Sequence, residues 1–145
     1  MIYGDINLKK NHKGFTLIEL IIVLSIFSVL ITMAMPQYLK LVFRAQEKKA
    51  LFNLESIYNG QKMFWFETAS EDPDNGNHYV HPGNEDLLES YIDYTQSDKH
   101  WDYYLVNTAD NDILFVAEAA HKNSNGALDG KTISIDQDHV ITKSY

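Results

Sequence analysis

Lys13-Gly14-Phe15-Thr16-Leu17-Ile18-Glu19-Leu20 opens an almost unbroken apolar run that continues to Met35 and is followed by Pro36. Between Phe15 and Met35 the only charged residue is Glu19. As a helix rising about 1.5 Å per residue, this run would be roughly 31 Å long, the thickness of a bilayer's hydrocarbon core. The stretch therefore predicts a helix that can span a membrane.

Glu19 is the unexpected residue in this run. A carboxylate inside an apolar span costs on the order of 2.5 to 3.5 kcal/mol, so we expect it to have a partner or a neutralising proton. If the chain is cut after Gly14, the new α-amine of Phe15 becomes the only other charge in the apolar helix, and its sign is opposite. The amine could pair with Glu19 of its own helix or with that of a staggered neighbour. The second arrangement makes a polymer.

The junction resembles the processing motif of type IV pilins and type II secretion pseudopilins. The shared features are a short basic leader (Lys9, Lys10, Lys13), the Gly14-Phe15 pair, Glu19 at the fifth position after the cut, and the apolar span. The resemblance implies that a prepilin peptidase cuts after Gly14 and that Phe15 is then N-methylated. Pro36 falls where these proteins usually carry a helix-kinking proline. The similarity is strong over residues 9–66 and weaker beyond.

Two simpler interpretations of the apolar run are less satisfactory. A secretory signal peptide has a basic start and an apolar core, and Thr32-Met33-Ala34 resembles its cleavage site, but signal cores are shorter and carry no acid. An uncleaved membrane anchor for a periplasmic domain explains the length of the run. It leaves Glu19 and the Gly14-Phe15 junction as coincidences.

Composition sets further bounds on the function. The chain of 145 residues has a net charge of −8, and the part after Gly14 carries −10, because the leader holds three lysines and one aspartate. This acidity opposes phosphate binding, so we expect no direct contact with nucleic acid. The leader lysines should stay in the cytoplasm, which places everything after Met35 across the membrane. Without cysteines, the C-terminal loop that many relatives close with a disulfide must be held by packing, hydrogen bonds or a metal.

The rest of the chain predicts an α+β fold. Residues 15–67 are expected to form one long helix, bent or loosened before Pro36, whose second half is apolar on one face. A polar connector over 67–100 contains a short helix that begins after Asn84 as its cap. Strands are predicted at 101–106, 113–119, 132–136 and 139–142. The expected architecture is a long helix packed on a small antiparallel sheet of about four strands, divided into a leader (1–14), a membrane and polymerisation helix (15–36) and a globular domain (37–145).

A candidate calcium site lies between the second and third predicted strands. Asn123, Asn125 and Asp129 offer hard oxygen ligands in a glycine-containing stretch, and major pseudopilins of type II secretion carry calcium in a comparable loop. The spacing is not that of an EF-hand, since Ser134 takes the place of the final glutamate. A polar turn between strands is the simpler interpretation.

These observations predict a structural subunit of a type IV pilus or related filament, used for adhesion, motility or uptake. A calcium-binding pseudopilin of type II secretion and a monomeric membrane-anchored binding domain are the alternatives. No catalytic motif is found, so an enzyme is not expected. The expected partners are further copies of the chain, minor pilins, the prepilin peptidase and an inner-membrane assembly platform. The resemblance implies storage in the bacterial inner membrane with the globular part in the periplasm, followed by assembly into an extracellular pilus or a periplasmic pseudopilus.

Overall fold

The protein is described by a computed structural model that places residues 14–71, 78–108, 114–123, 126 and 128–145, with side chains for all of these except 69–71. A long helix, α1 (Leu17–Glu71), precedes a short 3₁₀-helix (Glu85–Ser90). Four strands follow: β1 (Trp101–Val106), β2 (Val116–Lys122), β3 (Leu128–Asp136) and β4 (Ile141–Ser144). They form one antiparallel sheet in the order β1-β2-β3-β4. The predicted α+β architecture, a long helix with a four-stranded antiparallel sheet, is confirmed.

The chain divides into two compact units, one up to Val42 and one from Phe43 to Tyr145, and α1 contributes to both. In the first unit, α1 is apolar on every side and its side chains are exposed as far as Leu41. Ser25, Ser28 and Thr32 each donate a hydroxyl hydrogen bond, at 2.7–2.9 Å, to the carbonyl four residues earlier. The hydroxyls are thus satisfied within the helix, as hydrocarbon surroundings require. Within the described residues, α1 alone is long and apolar enough to cross a membrane.

Pro36 lies inside α1, and the helix continues through it to Glu71. Proline has no amide hydrogen to donate to the carbonyl of Thr32, so one helical hydrogen bond is missing there. We expected the helix to be bent or loosened before Pro36, and the structure shows that the helix does not end there. Hinge motion at this point stays a prediction.

The core of the second unit lies between α1 and one face of the sheet. Ala50, Leu54 and Ile57 are at most 2% exposed and recur at helical spacing. Fully burying a leucine or isoleucine side chain contributes about 1.5 to 3 kcal/mol. The helix-facing residues of the sheet are Trp101, Tyr103, Leu105, Ala117, Ala119, Ile133 and Ile135.

Gln61 is a buried polar residue that the sequence analysis did not single out. Its side-chain amide donates to the carbonyl of Val80 at 3.1 Å and accepts from the amide of Val80 at 2.8 Å. Gln61 is fully buried, and Val80 is 2% exposed. This pair of hydrogen bonds joins the connector to α1 and satisfies both buried backbone groups of Val80.

The short helix of the connector differs from its prediction. It is a 3₁₀-helix, Glu85–Ser90, that buries Leu88. Asn84 occupies the N-cap position but makes no capping hydrogen bond with its side chain. The carboxylate of Glu85 accepts a hydrogen bond at 2.9 Å from the amide of Gly83, which lies before the helix, and the backbone carbonyl of Asn84 accepts one at 3.0 Å from the amide of Leu87.

The strand boundaries also differ from the prediction, except for β1. Strand β2 runs from Val116 to Lys122 rather than over 113–119, and residue 113 lies outside the described part of the chain. Strand β3 begins at Leu128 rather than at Thr132, because its pairing with β2 resumes at Leu128 beyond an irregularity between Ala120 and Lys122. Such an irregularity is invisible to a period-two pattern.

Strand β4 spans Ile141–Ser144 rather than 139–142. His139 has a φ of 63°, a left-handed conformation that cannot continue a strand. The carboxylate of Asp136 accepts hydrogen bonds from the amides of Asp138 and Val140, at 3.0 and 2.9 Å, and closes the turn.

The C-terminal strand is attached to α1 by side chains. The carboxylate of Glu47 accepts hydrogen bonds from the ammonium of Lys143 and from the hydroxyl of Tyr145. The hydrogen bond from Lys143, followed by that from Tyr145, lowers the pKa of Glu47 below its ordinary value. These polar contacts therefore attach the C-terminal strand to α1, in a chain that has no cysteine with which to form a disulfide.

Candidate processing and assembly site

The predicted cleavage junction is accessible in the first unit. Gly14 and Phe15 precede α1, and the side chain of Phe15 is 82% exposed. A Cβ added at Gly14 would have no atom of the described residues within 4 Å. The peptide bond between them is therefore neither covered by the described chain nor part of a helix that would first have to unfold.

Thr16 and Glu19 form a capping box at the start of α1. The Glu19 carboxylate accepts hydrogen bonds from the Thr16 amide at 2.9 Å and from the Thr16 hydroxyl at 2.8 Å. The Glu19 amide donates to the Thr16 hydroxyl at 3.3 Å. This reciprocal pattern satisfies amides that a helix start leaves without partners. A negative charge is also favoured at this end by the helix dipole.

Glu19 was predicted from the sequence as a functional residue, but the role of Thr16 as its hydrogen-bond partner was not. The signal was present, because Thr-x-x-Glu before an apolar run is the pattern of a capping box. The capping box holds the Glu19 carboxylate at the head of the helix, where a charge is best tolerated. Its two donors belong to the residue next to Phe15, so they would survive a cut after Gly14.

The structure does not bring the other predicted assembly residue to this site. Pro36 lies 17 residues beyond Glu19 in the same helix, which corresponds to about 25 Å along the axis. Any contribution of Pro36 to assembly would therefore be made through the shape of the helix.

The three predicted calcium ligands fall in different parts of the chain's description. Asn123 follows β2, Asn125 lies outside the described residues, and Asp129 lies within β3. The Asp129 carboxylate is 2.8 Å from Nδ1 of His121 and 3.1 Å from the ammonium of Lys131. Burial opposes the ionisation of Asp129, but the hydrogen bonds from these two residues outweigh it and lower its pKa. Within the described ranges, no three His, Asp or Glu side chains are grouped to hold a metal ion.

A capped carboxylate behind a Gly-Phe junction, at the head of an apolar helix that continues into an α+β domain, defines the class of type IV pilin-like proteins. Residues 9–35 match the family described as the prokaryotic N-terminal methylation motif. This match and the relatives below support a type IV pilin-like protein.

Three relatives agree with this assignment. The chain is 41% identical over 56 residues to the type IV major pilin protein PilA of Myxococcus xanthus, covering 39% of this chain and 26% of that protein. It is 33% identical over 124 residues to a fimbrial protein of Neisseria meningitidis serogroup B, covering 86% and 65%. It is 49% identical over 55 residues to the fimbrial protein EcpC of Eikenella corrodens, covering 38% and 33%.

The chain thus spans between about a quarter and just under two thirds of the length of these relatives. Comparison with solved structures gave no significant match.

Proposed function

We propose that this protein is the structural subunit of a type IV pilus, processed between Gly14 and Phe15 and assembled through the first half of α1. The observation that carries the proposal is the capping box of Thr16 and Glu19, which lies directly after an accessible Gly-Phe junction and at the head of an apolar helix. Residues 9–35 match the methylation motif, which supports the same processing step. The role is one of assembly, and no catalytic step is assigned to the chain.

The processed N-terminus would act as a docking group. Thr16 supplies two hydrogen bonds to Glu19, but a neutral donor does not cancel the charge of the carboxylate. The α-amine of Phe15 in a neighbouring subunit can do so. A subunit docked in the wrong register would leave a carboxylate unpaired in apolar surroundings, which is costly. Glu19 would therefore select the register of the growing filament.

The apolar helix would make the exchange between membrane and filament reversible. Lipid chains and a bundle of apolar helices are similar surroundings, so the transfer of α1 from one to the other changes little hydrophobic free energy. A motor at an inner-membrane platform could then drive assembly or disassembly. The precursor would wait in the inner membrane with its globular unit in the periplasm, and a prepilin peptidase, minor pilins and further copies of the chain would be its partners.

Intact mass spectrometry of the membrane-extracted protein tests this proposal. We expect a chain that begins at Phe15 and carries one additional methyl group. A chain that keeps residues 1–14 and is extracted as a monomer would instead support a membrane-anchored binding domain. Electron microscopy of surface filaments, with the mass of their main band, tests assembly separately.

A calcium titration would separate the pilus from a type II secretion pseudopilus. The Asp129 carboxylate already has two partners, His121 and Lys131, which favours the pilus. We expect calcium to leave the melting temperature of a soluble fragment from about residue 37 unchanged. A rise in melting temperature would favour the pseudopilin and a site that includes Asn123, Asn125 and Asp129.

A further inference from the structure

The charges of the second unit are segregated along the chain. Residues 43–62, in α1, hold four lysine or arginine residues and two acids. Residues 63–98 hold nine acids and no lysine or arginine. A chain with this asymmetry presents surfaces of opposite sign, and opposite surfaces on separate copies attract each other.

Four of the eight lysine and arginine residues of this unit form an ion pair with a described acid, one of them Lys131 with Asp129. Lys49 lies 2.9 Å from Asp98, Lys122 lies 3.0 Å from Asp102, and Lys143 pairs with Glu47. Arg44 and Lys48 make no hydrogen bond or ion pair with any described residue, although both are exposed on α1. Phe52 is one further helical turn along and is 71% exposed. Arg44, Lys48 and Phe52, spaced four residues apart, form what we call the cationic face.

The acidic counterpart is the short 3₁₀-helix. Asp86 and Glu89 are exposed and make no ion pair with a described residue, and Leu87 between them is 47% exposed. Side chains three residues apart in a 3₁₀-helix lie on the same side. Asp86 and Glu89 therefore project together beside an exposed leucine. We call Asp86, Leu87 and Glu89 the acidic ridge.

The spacing of the two charge pairs matches. Arg44 and Lys48 are four residues apart in an α-helix, which is about 6 Å along the axis. Asp86 and Glu89 are three residues apart in a 3₁₀-helix rising about 2.0 Å per residue, which is also about 6 Å. Two cations can thus face two carboxylates. Both surfaces combine charge with one exposed apolar side chain.

We propose that the cationic face of one subunit docks on the acidic ridge of a second copy of the same chain. This inference rests on the proposed function as a filament subunit. Because no ion pair joins the two surfaces among the described residues, both are available to a second copy. The contact uses two different surfaces and is therefore heterologous, and such contacts build open helical filaments when the rotation does not close a ring. The contact would fix the register of the globular units, which apolar helices alone specify poorly.

Cross-linking between single-cysteine variants tests the contact directly, because the natural chain contains no cysteine. Full-length Lys48→Cys and Glu89→Cys chains are produced in the same cells, and the filaments are treated with a short bismaleimide. We expect a product that contains one chain of each kind. The matched control replaces Lys48→Cys with Lys99→Cys, an exposed lysine that also makes no ion pair with a described residue, and should give no product above background.

Charge exchange provides an independent readout. The variant R44E/K48E and the variant D86K/E89K should each lower filament yield by about tenfold, and their combination in one chain should restore it. Normal processing after Gly14 in every variant would show that membrane insertion is intact. The control K99E should leave the yield unchanged.

The outcomes separate the contact from the filament function. Wild-type filaments without the Lys48→Cys to Glu89→Cys product, or without rescue by charge exchange, would overturn the contact and leave the filament proposal standing. Loss of binding by R44E/K48E to phosphatidylglycerol vesicles, in the absence of that product, would assign the cationic face to lipid and also overturn it. A wild-type chain that is processed but forms no filament would overturn both proposals.

Discussion

The carboxylate of Glu19 is held by Thr16, whose backbone amide and hydroxyl donate to the same oxygen at 2.9 and 2.8 Å. Both donors lie on the far side of the Gly14-Phe15 junction from the leader. The geometry of the carboxylate can therefore be set before processing and kept afterwards. The amine that processing creates would approach a carboxylate whose position is already fixed.

Substitutions of Glu19 and of Thr16 should lower filament yield to different degrees. Glu19→Ala should permit cleavage but lower filament yield at least about tenfold, because the charge that selects the register is gone. Thr16→Val removes the hydroxyl donor and keeps the backbone amide, so its effect should be smaller. Filament yield by electron microscopy, with processing followed by intact mass, measures both. Thr16→Ser is the matched control, and an unchanged yield for Glu19→Ala would contradict the assigned role.

Gly14→Leu should accumulate uncleaved precursor in the membrane. A Cβ at Gly14 would meet no atom within 4 Å in the part of the chain that the structure describes, so the substitution should not disturb the described fold. A loss of processing would then report on recognition by the peptidase. Intact mass should give a chain that retains residues 1–14. Ile18→Val, an apolar substitution on the other side of the junction, should be processed normally, and normal processing of Gly14→Leu would place the cut elsewhere.

The sequence predicted those features that repeat or that cost energy when misplaced. The apolar run predicted the long helix, and β1 was placed correctly at residues 101–106. Burial of Leu54 and Ile57 followed from helical periodicity. Each of these signals depends on local spacing, which a single sequence contains.

What the sequence did not predict depends on tertiary contacts. The irregularity after Ala120 extends β3 back to Leu128, and this places Asp129 in a strand beside His121 instead of in an open loop. In the sequence, Gln61 resembles any polar residue of a helix. Only the fold brings the backbone of Val80, in the connector, within hydrogen-bond distance of it. The pairing of Glu47 with Lys143 joins residues nearly a hundred positions apart. No local pattern encodes such partners.

Gln61→Ala should destabilise the second unit by about 2 to 4 kcal/mol, because it leaves the buried amide and carbonyl of Val80 without partners. Alanine is the better helix former, so intrinsic helix propensity would act in the opposite direction. Urea unfolding of the detergent-solubilised full-length protein measures the change. Asn59→Ala, at an exposed position of the same helix, should stay within about 0.5 kcal/mol of wild type. Equal stabilities for both variants would contradict the structural role of Gln61.

Asp98 should make the second unit sensitive to acid. Burial alone would raise its pKa, but hydrogen bonds from Lys49 and from the amides of His100 and Trp101 outweigh burial and lower the pKa from 3.8 to about 2. Because the folded-state pKa is depressed, the stabilisation is present above about pH 4 and is lost as the pH falls towards 2. It should amount to about 1 to 2 kcal/mol after solvent screening.

Unfolding free energies of wild type and Asp98→Asn, measured between pH 7 and pH 2, test this assignment. Wild type should be the more stable protein at pH 7, and the difference should shrink as Asp98 becomes protonated, because the neutral carboxyl and the amide then interact similarly with Lys49. Asp93 is an exposed acid of the connector. For Asp93→Asn, the unfolding free energy should differ from that of wild type by the same amount at every pH. If Asp98→Asn also differed from wild type by the same amount at every pH, the acid sensitivity of the unit would have to come from other carboxylates, and the hydrogen bonds around Asp98 would not stabilise its charged form.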